Sequence, residues 1–275
     1  MKPRKKKGTL LIKYGGNAML DDDITRKITG KVCKLVQDGY RVVLVHGGGP
    51  FIEDTLKLAG IETEFVAGHR KTTGEAIKYV EMALKGHVNS KLVSLLNEQG
   101  LKAVGLSGKD GHMVTAEKRY HIDQAGKQVD IGFVGNIKAI DPTLLNLLLQ
   151  NGYLPVVCTL SAGTDGHDYN VNADLFAGYL AGALKVYQFI MLTDVDGLME
   201  DPSDIHSLIT EINIDQIDKL HKHVIKGGMI PKTEACKSAL ENGAESAMII
   251  NGTRPERLLE GIHKASGFYG TKFVK

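Results

Sequence analysis

The chain has 275 residues, 43% of them apolar and 24% charged, which suffices for a large core in one domain or two lobes. Lys and Arg number 34 against 32 Asp and Glu, a net charge of +2, so no global basic field marks the chain for nucleic acid. Cys33, Cys158 and Cys236 are odd in number and far apart, which argues against a disulfide framework or a CxxC metal motif and fits a reducing compartment.

The chain starts on MKPRKKK, whose cations read first as a solvated, frayed tail and only weakly as a nucleic-acid contact. A basic start followed by a short strand is not a signal peptide. No apolar run reaches the roughly 18 residues of a membrane span. A cytoplasmic protein with neither nucleic-acid nor membrane partners is expected.

Apolar runs at 10–12, 42–45, 103–106, 154–158, 189–192 and 247–250 read as buried strands. Amphipathic patterns between them predict helices over 22–37, 50–58, 74–84, 89–97, 142–150, 172–184, 214–223 and 231–241. This alternation predicts an α/β fold, a mostly parallel sheet with helices on both faces. Residues 112–139 break the rhythm with two β-type segments around DQAGK, read as a hairpin insertion on the sheet. A boundary near 184–188 lacks a Pro/Gly linker, so two halves sharing one sheet are expected, divided as 1–186 and 187–275.

Lys13 ends the first strand in KYGG, and Lys232 opens a helix in GGMIPKTEAC. Two cations beside glycine pairs suit a site that handles phosphate, because bare backbone amides approach an anion closely. Gly15 and Gly16 should lie beyond the carboxyl end of the strand, where open parallel sheets bind ligands; a plain turn with an exposed lysine is as good a reading of this motif alone. Gly47, Gly48 and Gly49 in VHGGGP lead into Pro50 and a helix start, a ready anion site. HGGG also resembles an esterase oxyanion loop, but no G-x-S-x-G exists and Ser161 in TLSAG lacks the first glycine.

Arg70 in AGHRKTT could grip a carboxylate with two parallel bonds, or be an ordinary loop arginine, with His69 and Lys71 solvated. In YNVNAD, Asn170 and Asn172 alternate and could face one ligand; Asn172 could equally be an N-cap, with Asp174 favoured by the helix dipole or pairing with two lysines. Asp194 and Asp196 in TDVDGLM suit a nucleotide or its magnesium, and suit an Asx-turn with Gly197 equally. Pro231 and Lys232 are placed at N1 and N2 of their helix, where a cation opposes the macrodipole and an anionic ligand would explain it. That segment mimics a phosphate-binding G-x-x-x-x-K-T loop but has Pro231 where a glycine belongs. His221 and His223 are two apart on a predicted helix and do not face each other, so no metal-ligating residues are assigned.

In order, KYGGNAM, VHGGGP, GHRKTT, GLSGKDG, GYLPVV, YNVNAD, LTDVDGL and GGMIPK resemble the N-acetylglutamate kinase branch of the amino-acid kinase family over nearly the whole chain. The resemblance implies a three-layer αβα sandwich around a mostly parallel open sheet of about eight strands. It implies an N-terminal lobe for the acyl amino acid and dimer contact, and a C-terminal lobe for ATP with Mg2+. The implied roles are charge neutralisation by Lys13 and Lys232, positioning of both by Asp174, and phosphoryl binding by the amides of Gly16 and Gly48. Substrate would meet Gly47, Gly48, Arg70, Asn170 and Asn172, and the nucleotide would meet Asp194, Gly197, Met199 and Gly228. Arginine-inhibited members carry an extra N-terminal helix; the short basic start here, and a C-terminal EGIHKASGFYGTKF only loosely like their pattern, lead to the expectation of a homodimer with weak or no arginine inhibition. Two alternatives stay open: a kinase for aminoadipate on a carrier protein, and a non-catalytic amino-acid sensor.

Overall fold

The computed structural model describes residues 7–201, 203–220, 224–263 and 270–275. The elements run β1 (Thr9–Tyr14), α1 (Asp22–Gln37), β2 (Arg41–His46), α2 (Gly49–Leu58), β3 (Phe65–Val66), β4 (His69–Arg70), α3 (Ala76–Glu81), α4 (Ser90–Glu98) and β5 (Ala103–Ser107). Next come β6 (Val114–Ile122), β7 (Gln128–Ile140), α5 (Thr143–Gln150), β8 (Leu154–Cys158), β9 (Leu160–Gly163), β10 (Asp168–Val171) and α6 (Ala173–Ala183). The last are β11 (Gln188–Thr193), β12 (Glu211–Asn213), α7 (Ile217–Leu220), α8 (Met229–Glu241), β13 (Ala247–Asn251), α9 (Glu256–His263) and β14 (Thr271–Val274).

Eight strands form one sheet in the order β12-β14-β13-β11-β1-β2-β8-β5. Every neighbouring pair is parallel except β13 with β14. The α/β class and the mostly parallel eight-stranded sheet are those expected. Side-chain alternation sorts the strands between two cores. Leu10, Ile12, Leu44 and Ile190 pack with Val32 of α1, Leu92 of α4 and Leu258 of α9. Leu11, Val43, Val45 and Met191 pack with Leu149 of α5, Phe176 of α6 and Ala239 of α8. Burial on both faces is why these strands read as unbroken apolar runs. Each such side chain contributes about 1.5–3 kcal/mol, so the frame holding the strand ends is stiff.

The structure departs from the sequence reading in four places. The 112–139 segment is the hairpin β6–β7, but it lies off the main sheet: with β9 and β10 it closes a separate four-stranded barrel. The helices read at 74–84 and 89–97 are one run over 76–98, joined by π-helical turns at Met82–Asn89. Helix α8 starts at Met229, so Pro231 and Lys232 stand at N3 and N4 rather than N1 and N2. Proline fits there because the first four N–H groups of a helix have no intrahelical acceptor. The short strands β3, β4, β9, β12 and β14 and the helix α9 are not among the elements that the sequence predicts, whereas β10 forms the extended end on which Asn170 alternates with Asn172. His221 and His223, most of the basic start and the middle of EGIHKASGFYGTKF lie outside the described residues. No described helix is long and apolar enough to cross a membrane.

Candidate active site

The carboxyl ends of β11, β1 and β2 lie side by side, and the polypeptide leaves β1 and β2 in glycine loops. Lys13 alternates in phase with Leu11, so it faces α6 and α8 and is 6% exposed. Asn172 caps α6, its Oδ1 accepting the Asp174 and Leu175 N–H groups at 3.0 and 3.1 Å. The cap sets Asp174 in the first turn of α6, where the helix dipole favours a carboxylate. Helix α8 lies against α6 backbone to backbone: a Cβ on Gly178 would stand 2.4 Å from the Ala235 carbonyl oxygen. That close approach brings Lys232 level with Asp174.

The three charges meet at one carboxylate. Lys13 Nζ lies 2.6 Å from Asp174 Oδ1, and Lys232 Nζ donates to Oδ2 at 2.9 Å. Burial by itself would raise the Asp174 carboxyl, but the Lys13 and Lys232 ammonium groups outweigh it and hold it below its ordinary value. Two cations on one anion leave an excess of positive charge in a buried setting, where it is weakly screened. Lys13 and Asp174 form a close, buried ion pair, and an ammonium carries three N–H groups, so Lys13 keeps donors for another acceptor.

The glycine loops close on each other. A Cβ on Gly16 would stand 3.0 Å from Pro50 Cδ, one on Gly47 3.0 Å from Ala173 Cβ, and one on Gly48 2.7 Å from Leu84 Cδ2. A cavity of about 570 Å³ lies against them and gathers Lys13, Gly16, Gly47, Gly48, Asn172, Asp174, Asp194, Gly228 and Lys232. Asp194 accepts Asn17 Nδ2 at 3.0 Å and Thr193 Oγ1 at 3.1 Å, and these bonds, Asn17 first, help hold its carboxyl below the ordinary range.

A second cavity, of about 390 Å³, shares Gly47–Gly49 and Asn172 with the first and adds Arg70 and Asn170. Arg70 lies in β4, with its guanidinium 4.6 Å over the Phe65 ring of β3. Its Nη1 donates to Glu53 Oε2 at 2.6 Å and its Nη2 to the Gly49 carbonyl at 3.3 Å. The side chain is 8% exposed, so the loop-arginine alternative does not hold. His69 is half-buried beside it, and Lys71 pairs with Glu64 at 2.8 Å on the surface.

Gly197 and Met199 line neither cavity. Gly197, at φ +152°, is pressed against Thr271, whose Oγ1 accepts the Leu198 N–H at 2.7 Å; Met199 bridges Leu208. Asp196 accepts Asn251 Nδ2 at 3.0 Å and lies 3.8 Å from Arg254. Ser161, the serine of the esterase reading, is fully buried and lines neither cavity.

The model of the amino acid kinase family matches residues 8–251. The acetylglutamate kinase of Archaeoglobus fulgidus is 43% identical over 263 residues, 94% of this chain and 91% of that protein. The acetylglutamate kinase of Bartonella tribocorum is 42% identical over 275 residues, 97% of this chain and 89% of that protein. The chain belongs to the amino acid kinase family. Among solved structures, the N-acetylglutamate synthase from Neisseria gonorrhoeae complexed with coenzyme A and N-acetyl-glutamate aligns with a TM-score of 0.84 at 23% identity. It covers 98% of this chain, which spans 60% of the synthase chain. The carbamate kinase from Giardia lamblia bound to AMP-PNP aligns with a TM-score of 0.68 at 20% identity over 98% of both chains. These two show the amino acid kinase fold alone.

Asn17, Glu53, Phe65 and Lys226 each line one of the two cavities of this amino acid kinase and are not among the candidate residues that the sequence offers. Asn17 and Lys226 adjoin glycine pairs already singled out, which was the signal to use. Glu53 had none, since it meets Arg70 from 17 positions away in the chain.

Proposed function

We propose that this amino acid kinase is an acetylglutamate kinase, moving the γ-phosphoryl group of ATP to the side-chain carboxylate of N-acetyl-L-glutamate in arginine biosynthesis. The observation that carries this reading is the buried Lys13–Asp174–Lys232 trio, opening on a cavity that meets the Arg70 and Asn170 pocket at the glycine loop. A carboxylate oxygen forms the new bond to phosphorus, the bond to the β-phosphate oxygen breaks, and ADP leaves with its electron pair. The acceptor is already ionised at neutral pH, so no general base is needed. The protein's task is positioning and charge stabilisation.

On this reading Lys13 and Lys232 face the transferring group, and Asp174 holds both. The Gly16 and Gly48 amides bind phosphoryl oxygens. Arg70 and Asn170 hold the α-carboxylate side of the amino acid, with Gly47 and Asn172 beside it. The N-terminal half, 1–186, takes the amino acid and the C-terminal half, 187–275, the nucleotide, around Asp194 and Gly228. No described group of three His, Cys, Asp or Glu could hold a metal by itself. Mg2+ would come with the nucleotide, and Asp194, which has no ion pair among the described residues, is the carboxylate in the cavity to meet it. When bound, the ion neutralises charge on the phosphate oxygens. A cytoplasmic homodimer without nucleic-acid or membrane partners completes the proposal.

The test is chemical. Hydroxylamine added to protein, MgATP and N-acetyl-L-glutamate should trap an acyl phosphate as a hydroxamate, in step with ADP. ADP without hydroxamate would point to another acceptor atom.

A further inference from the structure

His46 ends β2 immediately before the glycine loop and is fully buried. It touches neither cavity, and the chemistry above does not use it. Its Nδ1 lies 2.8 Å from the Gly47 carbonyl oxygen, and its Nε2 lies 2.9 Å from Asn89 Nδ2. Asn89 is also buried, and its Nδ2 lies 2.9 Å from the Val156 carbonyl and 3.4 Å from the Leu106 carbonyl.

These contacts fix the protons. Two backbone carbonyls face one end of the Asn89 amide, so that end is the NH2; an oxygen there would meet only acceptors. Its N–H groups therefore meet His46 Nε2 as an acceptor. The imidazole proton then sits on Nδ1 and is donated to the Gly47 carbonyl. An imidazolium would place an N–H against the amide N–H, which agrees with burial lowering the His46 pKa to about 4.

The backbone is arranged for this contact. Asn89 closes the π-helical turns of Met82–Asn89, and one inserted residue turns later side chains by about 100°. A Cβ on Gly105 would collide with the Asn89 amide, so only glycine leaves it room.

We propose that Asn89 and His46 are positioning residues for the phosphoryl transfer: their hydrogen-bond chain locks the Gly47–Gly48 peptide and aims the Gly48 N–H into the cleft. A trans peptide is planar, with C=O and the next N–H pointing opposite ways. Holding the Gly47 carbonyl inward on His46 turns the Gly48 N–H outward, toward the cavities that Gly48 lines. That N–H donates to no other described residue, so it is free for a ligand oxygen. The inference rests on the kinase reading for its consequence, but not for its geometry.

The test pairs two variants and one spectrum. His46→Phe keeps the ring and removes the donor; kcat should fall about 10–100-fold, with KM for N-acetyl-L-glutamate within about threefold, as for a misplaced oxyanion donor. His46→Asn puts an amide N–H near the Nδ1 position and should recover to within about threefold of the parent. In the parent protein, 15N NMR of His46 should report the neutral Nδ1–H tautomer at pH 6. Parent-like turnover in His46→Phe, or His46→Asn as slow as His46→Phe, would overturn the positioning role. An Nε2–H tautomer or an imidazolium would overturn the chain itself even if both variants misfold. If the parent releases no ADP with N-acetyl-L-glutamate, the kinase reading and the positioning role fall together, and the spectrum still decides the chain.

Discussion

The lysine–aspartate trio and the Arg70 pocket are neighbours held by different means. The trio sits on the central strand of an eight-stranded sheet and on two helix starts packed backbone to backbone. Its side chains are 7–18% exposed. The pocket instead depends on a hairpin of two-residue strands, with Phe65 57% exposed and Glu53, the partner of Arg70, 47% exposed in its side chain. On the proposed function, the contrast separates two duties. Charge stabilisation works best from groups fixed before reaction in a weakly screened site. Recognition of a carboxylate uses a planar fork with two parallel donors, which a small, partly exposed hairpin can present.

The largest effect should come from breaking the rigid side. Lys13→Ala or Lys232→Ala should lower kcat about a hundredfold or more, as for a lost charge-stabilising donor. Steady-state ADP release checks this, and parent-like turnover in either variant would remove the trio from the mechanism. A smaller effect is expected at Gly48, whose added Cβ would stand 2.7 Å from Leu84 Cδ2. Gly48→Ala should lower kcat about tenfold, and Leu84→Ala in the same chain should restore part of it, since contacting positions couple. A non-recovering double variant would mean that the clash is not the cause.

The pocket side should answer differently. Arg70→Lys keeps charge and loses the fork, so KM for the amino acid should rise about tenfold while kcat stays within about threefold. A kcat loss at unchanged KM would place Arg70 with the transfer centre instead.

The last effect bears on stability rather than on turnover, and is a pH slope. His46 is depressed from 6.5 to about 4 in the folded protein, so the unfolded chain binds the extra proton between those values. Its contribution is fully present above about pH 6.5 and is lost as pH falls toward 4, on the order of 3 kcal/mol. Thermal melts should show a steeper loss over that window in the parent than in His46→Asn. Equal slopes would contradict a buried neutral His46.

The same contrast decides what could be read in the sequence. The rigid side was legible: unbroken apolar runs mark strands buried on both faces, and Lys13, Gly48 and Asp174 stand at the junctions where strands end or helices begin. Contacts made across the fold were not legible. Glu53 reaches Arg70 only because the β3–β4 hairpin folds back onto α2, and strands of two to four residues carry too few positions to show a period. The four-stranded barrel needs pairings such as Asn170 with Val134, invisible before folding. The π-helical turns over Met82–Asn89 leave no mark either, and Gly86 there reads as a helix break. Pro231 suits a first helical position and so points to Lys232 at the second, whereas the three residues before Lys232 already lie in α8.

The most direct measurement is ADP release by the parent protein and Lys232→Ala, with MgATP and a panel of acceptors: N-acetyl-L-glutamate, glutamate, aspartate, carbamate and free aminoadipate. The account predicts turnover confined to N-acetyl-L-glutamate, reduced about a hundredfold or more in Lys232→Ala. Turnover on another acceptor, or none on any, would contradict the assignment of the Arg70 and Asn170 pocket to this amino acid.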